Sequence, residues 1–146
     1  MDWLSAISGG TGHTDVALLL NRVAVGTFFA ISGAHKLFNK DRHQRLVETL
    51  KDAHVPVVGF NQWWVPGWEF FSGTMIFLGI FAPLFTIPLM VICYVACATE
   101  GKKVVESYNP IDSADRLDDW LYTPEALYMI SLLIVLFAGP GAWSLA

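Results

Sequence analysis

The sequence predicts an all-α integral membrane protein: a four-transmembrane-helix antiparallel bundle with a short interfacial amphipathic helix after span 1. Three observations predict it. Hydrophobic residues make up 54% of the 146 residues and charged residues 15%, against roughly 45–50% and 25% in soluble domains. The apolar residues come in blocks separated by polar stretches. The basic residues gather in two of those stretches, as the loops of a multi-pass protein do. One domain, residues 1–146, accounts for the whole chain.

Span 1 covers about 15–38, DVALLLNRVAVGTFFAISGAHKLF. At about 1.5 Å per residue it exceeds a hydrocarbon core of roughly 30 Å. Residues 39–54, NKDRHQRLVETLKDAH, place Leu46, Val47 and Leu50 at helical spacing among charges. That pattern predicts a helix lying at the membrane surface. Val55 to Asn61 contains Pro56 and Gly59 and reads as a loop. Span 2 covers about 63–81 and is expected to stop at Ala82-Pro83. Span 3, about 84–100, carries Pro88 in its first turns as a point for a kink. Its short length is made up if the helix continues past Glu100 toward Lys102 and Lys103. Residues 101–123, with Asp112, Asp115, Asp118 and Asp119, read as a solvated loop with room for one helical turn. Span 4 covers about 124–138. Thr123 suits the N-cap, Pro124 the first helical position and Glu125 the positive end of the dipole. Gly139-Pro140-Gly141 ends it. The stretch Met1–Thr14 lacks a basic region followed by a short apolar core, so no cleavable signal peptide is expected and span 1 directs insertion.

Nine Lys and Arg residues set the orientation. Lys36, Lys40, Arg42, Arg45 and Lys51 lie between spans 1 and 2 or at their edge. Lys102, Lys103 and Arg116 lie between spans 3 and 4, and only Arg22 lies elsewhere. Four spans put both loops on one side. The positive-inside rule makes that side cytoplasmic and puts both termini outside. Tryptophan prefers the headgroup level, where its apolar body and N–H are both satisfied. Trp63, Trp64, Trp68 and Trp120 fall at the inner boundary, and Trp3 and Trp143 at the outer one.

The net charge of −4 leaves no basic footprint for nucleic acid. An ionisable side chain inside a span is costly and usually faces the bundle interior or water. Glu69 lies about two turns into span 2, roughly 9 Å deep, on the side where His35 and Lys36 close span 1. It can pair with Lys36 or accept a hydrogen bond from His35. Functionally that makes a polar pocket for a headgroup or a proton relay; structurally it makes a pair that orients span 1 against span 2. Arg22 lies about two turns inside the outer end of span 1. Its expected partners are Asp15, carbonyls of the turn near Pro83, or the C-terminal carboxylate. It can otherwise snorkel to the outer headgroups or form an outer-face polar site.

Cys93 and Cys97 share one face of span 3. Residues four apart on a regular helix have poor disulfide geometry, so small-residue packing is the better reading. Gly26, Ala30, Gly33 and Ala34 in span 1, and Gly67, Gly73 and Gly79 in span 2, allow close helix approach. There is no phosphate-binding glycine loop, no nucleophile elbow and no metal-site spacing. His13, His43 and His54 read as surface residues, so two axial haem ligands are not supplied within the bundle.

From about Leu20 to Leu145 the chain resembles the DoxX family of small prokaryotic membrane proteins. The resemblance rests on Arg22, Gly26, Phe29, Gly33 and Lys36 in RVAVGTFFAISGAHKLF, and on Val55-Pro56. It continues with Glu69, Gly73, Leu78 and Gly79 in WEFFSGTMIFLGIFAP, and with the closing GPGAWSL. The family ending often adds an Asp after Ser-Leu; here Ala146 follows. The acidic stretch Asp112–Asp119 is not part of the resemblance.

The resemblance implies four spans in the prokaryotic plasma (inner) membrane and a redox connection. The related DoxD protein is the membrane subunit of a thiosulfate:quinone oxidoreductase. The expected function is therefore a membrane subunit of a quinone-linked redox system, with partner subunits needed for the chemistry. The quinone headgroup would sit near His35, Lys36 and Glu69, with Trp64 or Trp68 stacking and Glu69 moving protons as candidate catalytic residue. No metal, haem or flavin site is expected. The alternative is a non-catalytic accessory subunit of a larger respiratory or photosynthetic complex. Membrane lipid surrounds the chain on either reading.

Overall fold

A computed structural model describes residues 13–109 and 111–145. The readings of Trp3, of the stretch before His13 and of Ala146 lie outside the described residues. Among those described, every regular element is helical. The helices are α1 (Thr14–Phe38), α2 (Lys40–Asp52), α3 (Val58–Leu78) and α4 (Ala82–Ala96). A π turn (Cys97–Gly101) carries α4 without interruption into α5 (Lys102–Glu106), and α6 (Ser113–Leu121) and α7 (Pro124–Ala138) follow.

Four helices make the bundle. They pack in the ring α1–α3–α4–α7, with α7 returning to α1. Each neighbour in the chain runs opposite to the last. The core between them is Val25, Phe29, Ile76, Leu89, Cys93, Leu132 and Val135, all buried. The outer surface is apolar as well: Leu20, Phe38, Phe81, Leu84 and Phe137 are more than 60% exposed. Helices apolar on both sides suit a lipid surround.

By length and composition Thr14–Phe38 and Ala82–Glu106 can each cross a membrane. The pair Ser113–Leu121 and Pro124–Ala138 would make a third as a span bent by 69°. The helix past Glu100 is thus continuous, as its short apolar stretch requires. α3 has 21 residues but is diluted by Asn61, Gln62, Pro66 and Glu69. α7 alone, with 15 residues, is only about 22 Å long.

Several boundaries differ from expectation. α3 begins at Val58, so Gly59 and Asn61 are helical and the loop shrinks to 53–57. Pro66 therefore sits in a helix interior, where its missing N–H leaves the Gln62 carbonyl without its i+4 donor. α3 ends at Leu78 because Gly79 takes a left-handed cap, φ 77°, and donates to Ile76 O. Ala82-Pro83 opens α4 rather than stopping the helix before it. Residues 113–121 form a nine-residue helix, longer than one turn, because Asp112 caps it by accepting from Asp115 N at 2.8 Å. Thr123 does precede α7, but its hydroxyl donates to Trp120 O at 2.6 Å and accepts no N–H from the first turn.

Glycines fix the closest approach, between α1 and α3. A Cβ on Gly26 would stand 2.5 Å from Phe77 N, and one on Gly73 2.5 Å from Ala30 N. A Cβ on Gly33 would collide with Phe70 N and lie 2.8 Å from Pro66 O. Gly67 and Gly79 do not take part in this packing. Gly67 faces open space, and Gly79 is needed for its positive φ and for the Arg22 side chain beside it.

Candidate functional site

Asn39 ends α1 and starts α2. Its extended backbone breaks the helix, and its side chain accepts from Asp41 N and Arg42 N, both at 3.1 Å. The chain therefore turns at the foot of the bundle, and α2 lies across it. The amphipathic pattern works as expected for Leu46 and Leu50, which are buried, whereas Val47 is half-buried. His43 pins α2 in place. Its Nδ1 lies 2.9 Å from Lys36 O and its Nε2 3.0 Å from Gln62 Oε1, and the ring stacks on Trp63. The surface reading of His43 was wrong: it joins α1, α2 and α3. The other edge of α2 is held to the π turn and α5. Thr49 Oγ1 donates to Glu100 Oε1 at 3.3 Å, and Lys103 Nζ meets Asp52 Oδ2 at 2.9 Å and Glu100 Oε1 at 3.5 Å.

Under α2 lies a cavity of about 600 Å³, within the range of small-molecule sites. Its walls are mostly apolar, from Phe28 and Ile31 of α1 to Val91, Ile92 and Val95 of α4. Ile31 and Val91 are also exposed on the side of the bundle, so the cavity opens laterally. His35 and Lys36 bring polar groups into it from α1, and Glu100 and Glu125 bring carboxylates.

Lys36 Nζ donates to Glu69 Oε2 at 2.8 Å. The Glu69 side chain is 2% exposed and that of Lys36 29%. Of the two partners foreseen for Glu69, Lys36 is the one it takes. Glu69 stands behind Lys36 and does not line the cavity, whereas Lys36 does. His35 is exposed at the cavity wall. Trp64 and Trp68 are not brought to this cavity. They belong to an aromatic row, Phe60, Trp64, Trp68, Phe71 and Phe85, running along α3 to α4. Glu100 and Glu125 carried no signal of cavity membership in the sequence, since the π turn and the fold of α7 bring them in.

Arg22 sits at the opposite end of the bundle and is 3% exposed. It does not snorkel. Nη1 donates to Pro140 O and Nη2 to Trp143 O, each at 2.9 Å. Neither Asp15 nor the turn near Pro83 is its partner among the described residues. Asp15 Oδ1 instead accepts from Ala142 N at 3.1 Å, and Leu145 N donates to Leu78 O at 3.2 Å. The GPGAWSL segment is thus clasped across α1 and α3, and Arg22 is committed to that clasp.

Cys93 is buried and Cys97 half-buried, and both thiols are free. Asp115, Asp118 and Asp119 bring carboxylate oxygens within 4.8 Å of one another on α6. Asp115 Oδ2 already accepts from Ile111 N at 2.9 Å.

A family model described as DoxX matches residues 17–100. The match takes in α1 to α4, and with them Arg22, Lys36, Glu69 and both cysteines. It ends before α6, α7 and the C-terminal clasp. No curated protein and no solved structure matches the chain.

Proposed function

The chain belongs to the DoxX family, and from that premise we propose that it is a four-span membrane subunit of a quinone-linked redox system, working with a partner subunit. The observation that carries this reading is the laterally open cavity with Lys36 and His35 on its wall. Its size and apolar lining fit a quinone ring, and its side opening faces the phase in which a lipid-soluble quinone travels. On this reading α1, α3, α4–α5 and α7 cross the membrane of a prokaryotic cell. The end carrying α2 is cytoplasmic, because eight of the nine Lys and Arg residues gather there.

A bound quinone would supply the two-electron, two-proton carrier. The chain supplies position. Lys36 Nζ and the His35 ring offer donors to carbonyl oxygens. Glu69, fixed beneath Lys36 at 2.8 Å, holds the ammonium in one place, so a ligand meets an oriented donor rather than a mobile one. Glu100 and Glu125 face the cavity, Glu100 held by Lys103 and Thr49 and Glu125 outside any ion pair among the described residues. Glu69 can exchange with the cavity only through Lys36, so we assign it to positioning rather than to direct proton transfer. Electrons must come from a partner of the redox class.

Ser32 lines the cavity one helical turn before Lys36 and belongs to neither half of the ion pair, so Ser32→Trp fills the cavity while leaving both charges in place. The protein reconstituted in neutral lipid is expected to bind a ubiquinone or menaquinone analogue. Ser32→Trp is expected to weaken that binding by about tenfold or more, equivalent to about 1.4 kcal/mol, because the indole occupies the space of the ring, with its thermal midpoint little changed. Undiminished binding in a folded Ser32→Trp protein would place the quinone elsewhere.

A further inference from the structure

The positions of α2 that face the cavity are Arg42, Arg45, Leu46, Thr49 and Leu50. Their spacing, i, i+3, i+4, i+7 and i+8, is one helical face. The leucines are buried and the arginines exposed, so the guanidiniums stand at the mouth. The charges around that mouth do not cancel. Lys36 is taken by Glu69, and Glu100 by Lys103 and Thr49. Arg42 and Arg45 make no ion pair among the described residues, and Glu125 is the one carboxylate of the lining left to oppose them. Two free guanidiniums above an apolar, laterally open cavity form a mouth suited to an anion attached to hydrocarbon.

We infer that Arg42 and Arg45 bind the phosphate of an anionic membrane lipid, whose headgroup closes the mouth beside α2. Guanidinium forks match phosphate oxygens in geometry and charge. A basic pocket between helices at the membrane surface is the setting in which such headgroups are held. The headgroup would also tie α2 to the bilayer at the point where the cavity opens. The lipid site does not depend on what fills the cavity, so it stands whether or not a quinone binds below.

Lys40 and Lys51 provide the control. They lie on the same helix, are exposed, carry the same total charge and do not line the cavity. The full-length protein in detergent is titrated with short-chain phosphatidylglycerol, short-chain phosphatidylcholine and inorganic phosphate, with bound species counted by native mass spectrometry. Phosphatidylglycerol is expected to bind at one site, more tightly than phosphatidylcholine. Arg42→Gln/Arg45→Gln is expected to weaken it about tenfold or more, and Lys40→Gln/Lys51→Gln less than about twofold. Equal losses in the two double variants would reduce the effect to diffuse surface charge and overturn the site. So would no loss in either, or equal affinity for phosphatidylcholine. Inorganic phosphate binding as tightly as the lipid would assign the arginines to a free anion instead. Quinone-analogue binding by the same proteins in neutral lipid reports separately on the cavity: its loss in wild type removes the quinone reading and leaves the lipid site untouched.

Discussion

Lys36→Met is expected to destabilise the folded bundle by about 3–5 kcal/mol, the usual cost of removing one partner from a buried pair. The size follows from the asymmetry of the site. Glu69 is 2% exposed and Lys36 29%. Without Lys36 the carboxylate is stranded in a dry interior with no cation beside it. Without the carboxylate the ammonium can turn toward the cavity. Glu69→Gln, which keeps an acceptor in place, should therefore cost only about 1 kcal/mol. The double variant Lys36→Met/Glu69→Met should lie well above Lys36→Met in stability, because well-packed apolar pairs often replace buried ion pairs at little cost. Unfolding of the purified protein, followed by tryptophan fluorescence, measures all three. Equal and additive losses would mean that the pair acts as two independent surface charges.

Gly33→Ala should be the second large effect, a loss of about 1–3 kcal/mol or more. A Cβ there meets backbone atoms, Phe70 N and Pro66 O, which cannot rotate away as a side chain can. The helices α1 and α3 must separate, and that separation would pull Lys36 from Glu69 one turn below. Gly67→Ala on α3 makes the same chemical change where nothing lies within 4 Å. It should be neutral or stabilising by up to about 1 kcal/mol, the helix-propensity gain of alanine over glycine. Opposite signs at the two glycines are the expected result. Similar effects at both would show that α1 and α3 do not pack through Gly33.

Features set by local chemistry were legible in the sequence. Apolar periodicity placed α1 at 15–38, within one residue of Thr14–Phe38. Charged residues around Leu46 and Leu50 marked α2. The depth of Glu69 and the reach of a lysine stem narrowed its partner to Lys36 or His35, and Lys36 is the one it takes. What was not legible depends on where distant segments meet. The partners expected for Arg22 are Asp15, the turn near Pro83 or the C-terminal carboxylate; the carbonyls of Pro140 and Trp143 that it takes leave no mark in the sequence, because any residue carries a carbonyl. His43 looked solvated because neither Lys36 O nor Gln62 leaves a mark at a fixed spacing. Trp64 and Trp68 share a helix with Glu69, but their faces differ, and no count along the chain separates stacking on a ligand from stacking on Phe60 and Phe71. Glu125 was read as a helix-dipole partner and also reaches the cavity, since one position can serve both.

The most direct test of the quinone-subunit reading is the content of the tagged chain after mild extraction from its native membrane, with co-purifying quinones and proteins identified by mass spectrometry. The account predicts a bound quinone, lost in Ser32→Trp, together with a redox partner protein. A stable chain recovered alone and without quinone would contradict it.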